Sequence, residues 1–229
     1  MTEYVFEPPP VAAVAIAQSK LLYPVRRIHC VGRNYADHVR EMGMDPTRDP
    51  PFFFQKPRDA IIANGESVPY PPLTANFHHE IELVVAIGRE GADIPVATAL
   101  DHIFGYAVGN DFTRRDQQLL AREKGRPWEP GKAFDHCAGI AQIHETREVG
   151  HPDSGRIWLT INGQARQEAD LKNLIWSVPE IVSILSTYVK LMPGDLIYTG
   201  TPAGVGPLQR GDVVEGGIDG LGTLINTIR

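Results

Sequence analysis

Glycine and proline are spread along the whole of this 229-residue chain, and they limit what it can fold into. There are 22 glycines and 19 prolines, and no extended stretch carries a long helical pattern of apolar residues. Because both residues interrupt regular structure, this distribution favours many short strands joined by turns. We therefore expect a β-rich α+β fold with few helices.

The predicted strands are short runs of β-branched and aromatic residues. They cover residues 14–18, 27–32, 51–55, 80–88, 106–111, 138–144, 156–161, 195–199, 212–218 and 222–227. Asn162 and Gly163 predict a hairpin after 156–161. Predicted helices cover residues 35–42, 113–124 and 178–191, with Thr113 and Asp116 as a capping box for the second. We expect a short N-terminal extension over residues 1–24 and a single catalytic domain over 25–229.

Composition and charge narrow the classes of partner. The net charge is -6, whereas a general nucleic-acid surface needs basic patches. No apolar run approaches the roughly 18 residues of a membrane span, and the acidic, proline-rich start is unlike a signal peptide. Cys30 and Cys137 make neither a metal spacing nor a disulfide framework. We expect a cytoplasmic enzyme with a small-molecule substrate and without nucleic-acid or membrane partners.

Two carboxylates stand in the apolar strand predicted at 80–88. Since side chains alternate along a strand, Glu80 and Glu82 leave the same face about 7 Å apart. Two like charges there repel and lose solvation unless water or a cation meets them. The commoner explanation for such a pair of glutamates is an edge strand whose polar face is solvated. The alternative is a divalent ion bound by both carboxylates. The same alternation places His78 beside the two glutamates and turns His79 away.

Other polar residues have both an ordinary and a chemical explanation. His38 and Glu41 share a helix face, which orients an imidazole as a base but is also common on surface helices. Asp111 closes a predicted strand, where it is either a helix N-cap or a third oxygen ligand. Lys132 lies in a loop with proline and glycine, and it is either solvated or stabilises an oxyanion. The glycine-rich segment 199–206 is a plain turn or a cradle for a carboxylate or enolate oxygen.

Taken together, these segments resemble the fumarylacetoacetate hydrolase superfamily, most closely its acylpyruvase and fumarylpyruvate hydrolase branch. The matching segments are residues 30–38, 54–57, 78–83, 110–111, 115–116, 131–134 and 199–206, in this order along the chain. The resemblance implies a mixed, rolled β-sheet domain that encloses a metal site, usually in a homodimer. It also implies Mg2+ or Mn2+ on Glu80, Glu82 and Asp111.

The resemblance further implies roles for residues around the metal. His38 and Glu41 would form a water-activating dyad on a short helix that orders as a lid. The residues implied to contact the substrate's carboxylate and keto oxygens are Lys132, Arg115, Gln118 and Thr201.

The implied reaction is hydrolysis of the C3–C4 bond of a 2,4-diketo acid, with release of a pyruvate enolate. Fumarylpyruvate from aromatic-compound degradation is the favoured substrate, and the additional arginine Arg114 is our hypothesis for the group that holds its second carboxylate. Ala133 departs from the pattern, since many relatives have serine there. The alternatives are an oxaloacetate decarboxylase, an isomerase of unsaturated 2-keto acids, and a metal-stabilised protein without catalysis.

Overall fold

The computed structural model describes residues 3–43 and 49–229. Its strands are β1 (Ala13–Ala15), β2 (Leu22–Pro24), β3 (Arg27–Gly32), β4 (Phe52–Lys56), β5 (Ile61–Ala63), β6 (Ser67–Val68), β7 (Phe77–His79), β8 (Ile81–Ile87), β9 (Ile103–Asp111), β10 (Thr113–Arg114), β11 (Ala138–Ile140), β12 (His144–Glu145), β13 (Arg156–Ile161), β14 (Gln164–Asp170), β15 (Asp195–Tyr198), β16 (Gly206–Pro207), β17 (Val213–Ile218) and β18 (Gly222–Ile228). Its α-helices are α1 (Ala36–Glu41), α2 (Arg115–Glu123), α3 (Glu129–Lys132), α4 (Thr146–Val149) and α5 (Val178–Tyr188). Short 3-10 turns cover Arg58–Ala60, Val96–His102 and Leu171–Asn173. No helix among these residues is long and apolar enough to cross a membrane.

A curled mixed sheet forms the centre of the molecule. Its strands run in the order β4-β3-β15-β8-β9-β11-β5, and β12 pairs with β9. The pairs β15–β3 and β11–β5 are parallel, and the other pairs along this path are antiparallel. A second sheet has the order β14-β13-β17-β18-β6, and a small sheet joins β10, β7 and β16. The prediction of a β-rich α+β fold with a mixed, rolled sheet is confirmed.

Strand β8 is buried along its whole length because it faces a core on either side. Leu83 and Val85 belong to the larger core, which they share with residues of the second sheet. Val84 and Ala86 belong to a second core on the opposite face. This explains the near-continuous apolar run, and it places Glu82 on the Val84 face by alternation.

The β1–β2 hairpin covers the second core. Val14 and Tyr23 are buried there. The Tyr23 hydroxyl lies 2.8 Å from the carbonyl oxygen of Ile87, and it accepts a hydrogen bond from the backbone N–H of Gly194 at 3.0 Å. Part of the predicted N-terminal extension is therefore packed on the domain, and the boundary at residues 24–25 stays a prediction.

The capping box predicted for the second helix is wrong. Thr113 lies in β10, and its Oγ1 accepts a hydrogen bond from Lys132 Nζ at 2.7 Å. The Asp116 carboxylate instead accepts hydrogen bonds from Thr74 Oγ1 at 2.6 Å and the backbone N–H of Ala75 at 3.0 Å. Helix α2 consequently begins two residues later than predicted, because contacts with distant segments replace the local cap.

Candidate active site

Three buried carboxylates meet where β8 and β9 lie side by side. Glu80 directly precedes β8, Glu82 lies within it, and Asp111 ends β9. The antiparallel register pairs Ile81 with Asn110, and the backbone N–H of Asp111 donates to the carbonyl oxygen of Glu80 at 2.8 Å. One ligand oxygen from each carboxylate lies within 4.8 Å of the others. The two glutamates predicted to share a face therefore come together with the predicted third carboxylate.

Lys132 and Arg115 neutralise part of this charge. Lys132 Nζ donates to Glu80 Oε2 and to Asp111 Oδ2, each at 2.8 Å. The Arg115 guanidinium donates to Glu80 Oε1 and, at 2.5 Å, to Gln118 Oε1. Burial alone would raise the pKa of Glu80, but Lys132 and Arg115 hold that pKa well below its ordinary value.

Glu82 is the carboxylate of the three without an ion pair among the described residues. Its Oε2 accepts a hydrogen bond from the backbone N–H of Gly200 at 2.7 Å. Burial, followed by the charges of Asp111 and Glu80, raises the pKa of Glu82 well above its ordinary value. Three carboxylates, one of them without a cationic partner, make an oxygen donor set that suits Mg2+ or Mn2+.

Lys56 is a buried member of the site that the sequence interpretation gave no role. Its Nζ lies 2.7 Å from Asp111 Oδ1 in an ion pair that lacks hydrogen-bond geometry. It also donates to the carbonyl oxygens of Lys132 at 2.7 Å and of Phe112 at 3.1 Å. Burial opposes its charge, but Asp111 more than offsets this and raises the pKa of Lys56. Strand alternation was the available signal, since it puts Lys56 on the same face as Phe54.

The predicted dyad forms beside the carboxylates. His38 Nδ1 lies 3.1 Å from Glu41 Oε2, and both residues are on α1. The backbone N–H of Gly204 donates to Glu41 Oε1 at 3.0 Å, which ties the helix to the loop after β15. Burial would raise the pKa of Glu41, but the hydrogen bonds from His38 and Gly204 lower it overall. The arrangement leaves Nε2 of His38 as the ring nitrogen that can act as a base.

One cleft, open at its mouth, joins these groups. The predicted site residues that line it are His38, Glu80, Glu82, Asp111, Arg115, Gln118, Lys132 and Thr201. Glu41 reaches the cleft through the His38 ring. Gln167 Nε2 donates to Thr201 Oγ1 at 2.8 Å, and Gln167 Oε1 lies 2.9 Å from His79 Nδ1.

The other basic and histidine predictions have mixed outcomes. Arg114 does not line the cleft, because its guanidinium stacks 4.2 Å from the centre of the Phe134 ring. The hypothesis that Arg114 holds the second carboxylate of the substrate therefore has no support in this geometry. His78 lies near the site, with Arg115 Nε 3.4 Å from its Nδ1. His79 points away towards Gln167, as the strand alternation predicted.

The chain matches the family model described as "Fumarylacetoacetate (FAA) hydrolase C-terminal" over residues 27–229. It is 43% identical to a fumarylpyruvate hydrolase of Ralstonia sp over 185 residues, which covers 81% of this chain and 96% of that one. It is 42% identical to the mitochondrial oxaloacetate tautomerase of Mus musculus over 196 residues, which covers 86% and 88%.

A solved structure shares the fold throughout. The fumarylpyruvate hydrolase of Pseudomonas aeruginosa, crystallised in complex with Mn2+ and pyruvate, superposes with a TM-score of 0.97 at 52% identity. The match covers 99% of either chain. The fold, the family likeness and the acidic cluster therefore agree with one another.

Proposed function

We propose that this chain, which belongs to the fumarylacetoacetate hydrolase family, hydrolyses the carbon–carbon bond of an acylpyruvate, with fumarylpyruvate as the favoured substrate. The products are fumarate and pyruvate. The observation that carries the proposal is the single cleft in which a buried triad of carboxylates faces Lys132 and a His–Glu dyad. The likeness to proteins named fumarylpyruvate hydrolase supports the choice of substrate.

Glu80, Glu82 and Asp111 are the residues that would hold Mg2+ or Mn2+. Their oxygens lie close enough together to ligate one ion, and Glu82 has no other cationic partner among the described residues. Such an ion supplies Lewis acidity and a template for the carboxylate and 2-keto oxygens of the substrate. Mn2+ in the Pseudomonas aeruginosa structure is consistent with this assignment.

His38 acts on the attacking water. Its Nδ1–H is held by Glu41, so Nε2 takes a proton from the water as the water oxygen attacks the C4 carbonyl. The C3–C4 bond then breaks, and its electron pair passes into the enolate of pyruvate. C3 finally takes up a proton to give pyruvate, while the acyl group leaves as a carboxylic acid.

Lys132 stabilises the negative charge of the enolate. Its ammonium group is buried and already fixed by three hydrogen bonds, so little reorganisation is needed when the charge develops. Arg115, Gln118 and Thr201 bind the carboxylate and keto oxygens of the pyruvoyl end. We also propose a cytoplasmic homodimer, and light scattering on the purified protein would test the dimer.

Oxaloacetate chemistry is the second candidate. The 42% identical relative is named an oxaloacetate tautomerase, and enolisation or decarboxylation of oxaloacetate needs the charge-stabilising groups but no attacking water. On this alternative His38 and Glu41 are not required as a water-activating pair.

A substrate panel separates the candidates. The purified enzyme is supplied with Mg2+ or Mn2+ and assayed for pyruvate release from fumarylpyruvate, acetylpyruvate and oxaloacetate. Fumarate is measured in parallel, and enolisation of oxaloacetate is followed by the ultraviolet absorbance of its enol. We expect fumarylpyruvate to give equal amounts of fumarate and pyruvate at the highest kcat/KM. Turnover of oxaloacetate alone would contradict the proposal and favour the second candidate.

A further inference from the structure

Two arginines stand at the mouth of the cleft without acidic partners. Arg33 and Arg122 both line the cleft and are exposed at its edge. Neither side chain forms an ion pair within residues 3–43 and 49–229. By contrast, Arg115 and Lys132 deeper in the cleft are already engaged by Glu80 and Asp111. The arginines at the mouth are thus the cations of the cleft whose charge is not offset by a carboxylate among the described residues.

An aromatic wall connects the buried lysine to these arginines. Lys132 Nζ lies 5.2 Å from the centre of the Phe54 ring, and the ring of Phe54 is 5.9 Å from that of Trp128. Trp128 meets Phe52 edge-on at 5.0 Å, and Arg33 Cζ lies 5.3 Å from the Phe52 ring. Aromatic side chains therefore extend from the chemical end of the cleft towards its mouth.

The backbone of β3 allows this wall to form. A Cβ on Gly32 would lie 2.0 Å from the Phe52 ring, so the ring sits where only glycine leaves room. Arg33 follows in the left-handed region at φ 61°, which turns its side chain over the rings of Phe52 and Trp128. The position of Arg33 is thus built into the fold.

The positive charges of Arg33 and Arg122 also repel each other. Partial burial, and then the charge of Arg122, lower the pKa of Arg33 from its ordinary value. Both remain cationic, because an arginine guanidinium is protonated at any physiological pH. A carboxylate between them would relieve the repulsion and accept hydrogen bonds from either group.

We infer that Arg33 and Arg122 form a distal anion subsite that binds the terminal carboxylate of a dicarboxylic acyl chain, whose planar unsaturated part lies on the aromatic wall. The orientation of the chain rests on the proposed function, since it takes the pyruvoyl end to lie at the carboxylate triad. The subsite would select acylpyruvates with a negatively charged, flat acyl group over those with a small neutral one.

The kinetic test compares fumarylpyruvate with acetylpyruvate, which shares the diketo acid but lacks the distal carboxylate. Arg122→Gln is an exposed helix-surface change, and Arg33→Asn keeps a residue that tolerates positive φ. We expect each to lower the ratio of kcat/KM for fumarylpyruvate to that for acetylpyruvate by about tenfold, chiefly through KM. Arg126→Gln is the matched control, because it removes an exposed arginine that does not line the cleft.

A binding test does not depend on turnover. Fumarate and crotonate share a carboxylate and a double bond, but crotonate has a methyl group in place of the distal carboxylate. By calorimetry on the Mg2+-loaded enzyme, fumarate should bind about tenfold more tightly than crotonate, and the Arg33→Asn/Arg122→Gln variant should lose the difference.

The outcomes separate the two proposals. If the wild type releases pyruvate from neither acylpyruvate, the proposed function fails. The calorimetric comparison of fumarate with crotonate still tests the subsite in that case. Equal affinity of the wild type for fumarate and crotonate would overturn the subsite, as would an unchanged selectivity ratio in the arginine variants.

Discussion

Charge balance at the scale of single residues explains why the site, with a divalent ion bound, would favour an anionic substrate. The described site contains the carboxylates Glu80, Glu82 and Asp111, and its buried cations Lys56, Lys132 and Arg115 match them in number. An added divalent ion would leave the site positive overall. A substrate with an anionic carboxylate and a developing enolate charge would then restore neutrality, which favours the charged transition state.

Replacing the proposed base separates water attack from enolate formation. We expect His38→Ala to lower kcat for acylpyruvate cleavage by about 10²- to 10⁴-fold, because it removes the proposed base that takes the proton from water. Decarboxylation of oxaloacetate should be spared, since it needs no attacking water. Pyruvate release from both substrates measures the split, and His102→Ala, a histidine outside the cleft, is the control. Equal loss of both activities would count against this division.

The Glu41 carboxylate gives a pH-dependent contribution to stability. Its pKa lies below the ordinary value of 4.5 in the folded state, so the native protein binds fewer protons there than the unfolded chain. The contribution of Glu41 to the free energy of unfolding is complete above its ordinary pKa. It is lost as the pH falls through the lower pKa that Glu41 has in the folded state. We expect Glu41→Gln to destabilise the protein at pH 7 by less than about 1 kcal/mol, since the side chain is partly exposed. Urea unfolding of both proteins should show this difference shrinking in acid, and a constant difference would contradict the assignment.

At the scale of elements, the turn after β15 positions a backbone donor for the triad. Gly200 has φ 101°, and a Cβ there would lie 2.7 Å from Cβ of Asn34. The Asn34 side chain is itself fixed by hydrogen bonds to the backbone of Thr199 at 2.8 Å and of Trp176 at 2.7 Å. The Gly200 N–H can therefore reach Glu82 only because this turn carries no side chain.

A pair of glycine variants tests this turn. Gly200→Ala and Gly211→Ala both place alanine at a similar positive φ, but a Cβ on Gly211 meets nothing within 4 Å. We expect Gly211→Ala to cost about 1–2 kcal/mol in thermal unfolding from backbone strain, and Gly200→Ala to cost more because its Cβ also meets Asn34. Gly200→Ala alone should also weaken Mg2+ binding and pyruvate release. If both variants kept wild-type Mg2+ affinity, the role of the turn in positioning Glu82 would be wrong.

The strands show how far local sequence determines structure in this chain. The predicted bounds of β3 and β13 agree with those observed, because their β-branched runs end at clear turn residues. The two- and three-residue strands β7, β10 and β16 were missed, since their pairing depends on partners far along the chain. The capping prediction at Thr113 failed for the same reason, as Lys132 competes for its hydroxyl.

The candidate site shows the same division between local and distant information. His38 and Glu41 are three residues apart on one helix, so their contact follows from spacing alone. The meeting of Asp111 and Lys132 with the glutamates came from the family resemblance, because these residues lie on separate elements. Strand alternation was the one local signal for Lys56, and Arg33 and Arg122 carried none that distinguishes them from other surface cations. Only the folded chain brings the two arginines to one cleft and places Lys56 against Asp111.

At the scale of the whole molecule, binding of a divalent ion should stabilise the fold. Three like charges are held together between β8 and β9, at the middle of the central sheet. At an ion concentration a hundredfold above Kd, binding adds about 2.7 kcal/mol, which is roughly 5–10 °C in Tm for a chain of this size.

Removal and return of the ion measure this effect. Chelation should abolish pyruvate release and lower Tm, and added Mg2+ or Mn2+ should restore both. Glu82→Gln serves as the control, because its Tm should no longer respond to the ion. Full activity after complete chelation would rule out every metal-dependent version of the proposed reaction.

The link from Thr201 through Gln167 to His79 has a mechanical consequence. Gln167 belongs to β14, at the edge of the second sheet, whereas His79 belongs to β7 and Thr201 lines the cleft. A displacement of the second sheet relative to the strands around the cleft would therefore also move the Thr201 hydroxyl. Weaker packing between these sheets would change the geometry of the cleft before the protein unfolds. A fall in catalytic activity would then precede unfolding when the core is weakened.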